Sequence, residues 1–64
     1  MERKATLKAW RVNKGLSQTE LAEAVDRDVS TISRWENGGS PRAQDIAKLE
    51  KVLDIEWSRD VLVL

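Results

Sequence analysis

Ser30, Ser33, Arg34 and Asn37 are spaced i, i+3, i+4 and i+7, so a helix through them gathers their polar side chains on one face. Guanidinium and amide groups donate, and hydroxyls donate or accept. A face this short, polar and rich in donors suits the edge of a groove better than a hydrophobic partner. Ile32 and Trp35 fall on the other side, with Glu36 beside them. The helix is one to be presented, not enclosed.

Other chemistry is restricted by what the chain lacks. With no histidine, the commonest metal ligand and the usual near-neutral acid–base group are missing. With no cysteine, there are no thiolate sites and no disulfides. Catalysis would need a carboxylate pair in a pocket, and a 64-residue domain has little room for one. The acids spread over helix surfaces or fall at caps. Neither enzymatic activity, nor a cofactor, nor a metal is expected.

The presented helix needs neighbours to hold it. Asp28 caps its start, where a carboxylate accepts free amides and suits the positive end of the helix dipole. Asn37-Gly38 stops it. Upstream, Ser17 and Glu20 form a capping box, with Leu16 and Leu21 as its hydrophobic staple. The helix that follows buries Leu21, Ala22 and Val25 and is separated from the next by a tight turn at Asp26-Arg27. Two helices so joined, the second amphipathic, form a helix-turn-helix.

Helices are expected over about 5–14, 18–25, 29–36, 41–53 and 57–62. Thr6 is a candidate cap for the first, which carries Leu7 and Trp10, and Gly15 stops it. Pro41 suits the opening turn of the fourth, because its missing amide would be unpaired there anyway. Ile46, Leu49, Val52 and Leu53 form that helix's stripe, and Asp54 ends it. Trp57, Val61 and Leu64 at i, i+4 and i+7 favour a fifth helix, although VLVL is equally compatible with a strand. The fold class is all-α, a compact five-helix single domain.

Such a chain buries about 60% of its unfolded surface, so its core is modest. No apolar run approaches the roughly 20 residues that span a bilayer, and no signal-peptide core is present. A cytoplasmic location is expected. Net charge is zero, with 11 basic and 11 acidic residues. Residues 1–14 carry Arg3, Lys4, Lys8, Arg11 and Lys14 against Glu2, a local +4, while residues 15–42 and 43–64 each carry −2. Attraction for phosphates must come from the first helix and isolated arginines.

LSQTELAEAV followed by STISRWENG resembles the helix-turn-helix domain of Cro-type phage repressors and the wider xenobiotic-response-element class of bacterial regulators. The resemblance runs from about Leu7 to Val61 and implies a lambda-repressor-like five-helix fold. It implies that Gln18 and Asn37 contact DNA phosphates, and that Val29, Ser30, Ser33 and Arg34 face base edges or the adjacent backbone. Arginine matches guanine O6 and N7, and valine a thymine methyl. It also implies a structural ion pair between Arg11 and Glu36, with Trp10, Trp35 and Trp57 at core positions. Arg42 and Lys14 are further phosphate candidates.

The chain departs from the family pattern at the turn, where Asp26 and Arg27 replace a glycine and an apolar residue. Aspartate tolerates left-handed geometry. Arg27 must snorkel or point outward, and Asp26 and Asp28 place carboxylates near a phosphate-facing surface. The expected function is a sequence-specific double-stranded DNA-binding transcription regulator, a repressor on a palindromic operator, bound as a homodimer. The dimer candidates are Trp57, Val61, Leu62 and Leu64. The alternative is a protein-interaction module or an antitoxin of the same fold.

Overall fold

The computed structural model describes residues 4–62. The helices are α1 (Leu7–Asn13), α2 (Gln18–Ala24), α3 (Val29–Glu36), α4 (Ala43–Leu53) and α5 (Trp57–Asp60), with no strand among the described residues. The expected all-α, lambda-repressor-like class is the one observed.

Local signals account for α2 and α3. Ser17 Oγ accepts from the Glu20 amide at 3.0 Å, and Glu20 Oε1 accepts from the Ser17 amide at 2.8 Å. Asp28 Oδ1 accepts from the Thr31 amide at 3.3 Å, capping α3. Between them the chain reverses through Asp26, which takes the left-handed φ of 58°. Gly38, at φ 103°, turns the chain away after α3. That conformation carries no Cβ penalty in glycine.

Three boundaries differ from expectation by two residues, because side chains and distant segments outrank local propensity. The fourth helix begins at Ala43 rather than Pro41, with Arg42 extended as its N-cap. Asp45 Oδ2 reaches back to the Arg42 amide at 3.3 Å, so the acid, not the proline, sets the first turn. The fifth helix is a single turn, and Val61 is extended. It forms a parallel bridge with Ala5, in which the Ala5 amide donates to Asp60 O at 3.0 Å and the Leu62 amide to Ala5 O at 2.9 Å. That pairing also keeps Ala5 out of α1, which is capped by Thr6.

The core gathers Leu7, Leu21, Ala22, Val25, Ile32, Trp35, Leu49, Leu53, Ile55 and Val61. Trp10 and Trp57 are half-buried against it, and the Trp10 indole donates to Asp60 O at 2.7 Å. Val61 is thus core, which removes it from the apolar surface expected to meet a second copy. Leu62 remains exposed, Trp57 partly so, and Leu64 lies outside the described residues.

Candidate nucleic-acid interface

The two faces of α3 separate as its spacing requires. Thr31, Ile32 and Trp35 are buried; Val29, Ser30, Arg34 and Asn37 are exposed, and Ser33 is half-buried. Val29 is 45% exposed although apolar, which leaves its methyls available to a partner. Ser30 Oγ donates to Asp28 Oδ2 at 2.9 Å, and the Thr31 amide and hydroxyl both donate to Asp28 Oδ1. The Thr31 hydroxyl, followed by that of Ser30, holds the Asp28 carboxyl below its ordinary pKa. Asn37 Nδ2 donates to Ser33 O at 2.7 Å, tying the last turn of the outer face to itself.

Beneath the end of α3 lies a buried ionic cluster. Arg11 Nε and Nη2 donate to the two Glu36 carboxylate oxygens at 2.6 and 3.4 Å, and Nη1 donates to Leu16 O at 2.8 Å. The two side chains are only 9% and 4% exposed. Gln18 Nε2 adds a bond to Glu36 Oε1 at 2.9 Å. Three elements thus share one carboxylate, and the orientation of α3 relative to α1 and α2 follows. One of the expected +4 charges of residues 1–14 is thereby neutralised internally.

The phosphate candidates are arranged unequally. Gln18 sits at the start of α2 against Glu36, and Asn37 follows α3 directly. Arg42 is brought to the same hollow as Arg34. Lys14 is exposed at the end of α1, and no contact joins it to the others.

The fold also resolves where Arg27 goes, and here sequence reasoning missed a partner. The Arg27 guanidinium carbon stands 5.9 Å from the centre of the Trp35 ring, and Nε lies 3.9 Å from Asp45 Oδ1. Asp45, placed by its sequence on the first turn of a surface helix, is 2% exposed. Its spacing from Arg42 is the one signal that could have marked it, since an acid three residues after an N-cap reaches back to the cap.

A family model described as helix-turn-helix matches residues 7–59, most of the chain. No curated protein and no solved structure matches. The matched region carries the whole arrangement from α1 into α5, and members of this family are typically DNA-binding regulators rather than enzymes. No helix among the described residues is long and apolar enough to cross a membrane. The capped α2–turn–α3 unit, its polar outward face and the matched span together make this chain a member of the Cro/C1-type helix-turn-helix family.

Proposed function

We propose that this domain is a sequence-specific transcription repressor that lays α3 in the major groove of duplex DNA, in the cytoplasm at the nucleoid. The observation that carries the reading is the outward face of α3, polar and exposed while the helix is fixed from behind by Arg11 and Glu36. Eight residues of helix span about 12 Å, comparable with the roughly 12 Å width of the major groove. Val29, Ser30 and Ser33 meet base edges, with Arg34 at the limit of that face. Gln18, Asn37, Arg42 and Lys14 serve the backbone.

Binding occurs as a homodimer on half-sites about 34 Å apart. Of the described residues, Leu62 and the exposed part of Trp57 supply the contact between copies. Selection from a random duplex pool tests the reading. Enrichment of a palindrome with half-sites one turn apart is expected, and binding should fall with salt. No enrichment at low or moderate salt would refute it.

One observation favours the alternative of a protein-binding module. An apolar hollow of about 200 Å³ opens beside Trp57, Leu62, Ile46 and Pro41. If selection fails, that surface is where a protein partner or toxin would be sought.

A further inference from the structure

The only basic residues between positions 15 and 42 are Arg27, Arg34 and Arg42, and the fold brings all of them to one place. They come from the α2–α3 turn, from α3 and from the cap of α4, so no helical periodicity puts them together. With Ser40, Asp45 and Trp35 they line a polar hollow of about 310 Å³.

The charges there are incompletely matched. Asp45 is the one carboxylate of the hollow. One of its oxygens takes the Arg42 amide, and the other stands 3.9 Å from Arg27 Nε. The Arg34 and Arg42 guanidiniums have no hydrogen bond or ion pair with any described residue. Three cations therefore share a concavity with one anion, an excess of two positive charges. Like charges held close repel, and an anion entering the hollow relieves that repulsion.

The placement of Arg34 is itself specified. The Gly39 amide donates to Arg34 O at 2.9 Å, and a Cβ at Gly39 would meet that oxygen at 2.8 Å and Arg34 Cγ at 3.0 Å. Only glycine lets the loop lie so close against the stem of Arg34. Arg27 is similarly steadied by the Trp35 ring. Planar guanidinium forks match tetrahedral oxyanions by paired hydrogen bonds, which ammonium groups do not.

We propose that this hollow is a phosphate-binding site in which Arg27, Arg34 and Arg42 clamp one phosphate group, with the Ser40 hydroxyl as an added donor. The proposal reassigns Arg34 from base edges to phosphate. The group is carried either by the backbone of a duplex, in which case the proposal rests on the DNA-binding reading above, or by a free phosphorylated molecule, in which case it does not.

The test uses the full chain labelled with nitrogen-15. Inorganic phosphate is titrated at constant ionic strength while the arginine Nε–Hε signals are followed. The salt slope of duplex binding is measured in parallel for the unaltered chain, Arg27→Gln, Arg42→Gln and the exposed α4 control Lys51→Gln. Arg42→Gln keeps the backbone amide that bonds Asp45, so it remains informative if Arg27→Gln fails to fold.

Signals of Arg27, Arg34 and Arg42 are expected to move together and saturate, and the glutamine variants, but not the control, to weaken that binding several-fold. A salt slope reduced by about 1 in the glutamine variants, with or without saturable inorganic phosphate, assigns the group to the DNA backbone. Saturable phosphate with an unchanged slope assigns it to a free phosphorylated molecule. Unsaturable shifts spread over all arginines, with variants and control alike in both measurements, would overturn the site. If the unaltered chain binds no duplex, the regulator reading falls and the phosphate titration alone decides this proposal.

Discussion

Arginine serves opposite ends on two sides of α3. On one side Arg11 is enclosed and its charge is matched: Nε and both terminal nitrogens have partners, and Glu36 receives Gln18 as well. On the other side Arg27, Arg34 and Arg42 share one buried carboxylate and open onto a hollow. The residue type is the same, but the count of anions and the access of solvent differ. A matched, enclosed cluster fixes one helix against two others. An unmatched, open cluster holds charge in reserve for something that arrives from outside.

The largest expected effect comes from breaking the matched side. Glu36→Ala leaves Arg11 buried without its anion and should cost about 3–5 kcal/mol, read as a lower midpoint in urea unfolding. A loss under 1 kcal/mol would mean the enclosed pair is no scaffold. The next effect is on the open side. Arg34→Ala should weaken duplex binding several-fold and reduce its salt slope by about 1 while shifting stability by no more than about 0.5 kcal/mol. The loss should be equal on every sequence tested; a loss confined to one operator position would place Arg34 on a base and break the contrast.

A smaller change sharpens the contrast by enlarging the excess. Asp26 is in the left-handed region at φ 58°, next to Arg27. Asp26→Gly removes both the strain and a carboxylate, so stability should rise by about 0.5–1 kcal/mol in thermal melts and duplex affinity should increase. Unchanged affinity would show that this acid does not oppose phosphates.

The weakest test separates pairing from burial. Asp60 is half-buried and paired with the exposed Arg59: hydrogen bonding from Arg59, then from the Glu56 amide, lowers its pKa to about 2 from 3.8. A depressed folded pKa gives stability that is present above the unfolded value and lost as pH falls through the folded one. Asp60→Asn should therefore lower the melting temperature modestly at neutral pH, with the difference from the unaltered chain shrinking as pH falls from about 4 to about 2. A fall at neutral pH as large as that of Glu36→Ala would mean that half-exposed pairs here matter as much as enclosed ones.

What was legible in the sequence was mostly what is decided locally. The Ser17–Glu20 box, the Asp28 cap and the Gly38 stop each depend on neighbours within a few positions, and α2 and α3 follow from them. The start of α4 slipped by two residues because Pro41 signals less strongly than the Asp45 side chain. The end of α5 depends on Ala5, far away in the chain, which no local window contains. The Arg11–Glu36 pair was reachable only through the family resemblance, since 25 positions separate its members. The meeting of Arg27 with Asp45 and Trp35 was not reachable at all, because it requires the α2–α3 turn, α3 and the cap of α4 to be in place.

The bridge between Ala5 and Val61 has a consequence for the order in which the molecule assembles. It closes a loop that contains nearly the whole domain, so its entropy cost is met before any reward from the pairing. The capped helices form from near neighbours and need no such closure. Folding should therefore end with this clasp, and opening should begin there, with the indole of Trp10 released from Asp60 while α2 and α3 are still docked. A domain that unzips from its seam first loosens its ends, and with them the Leu62 side proposed to meet a second copy, while the outward face of α3 keeps its place.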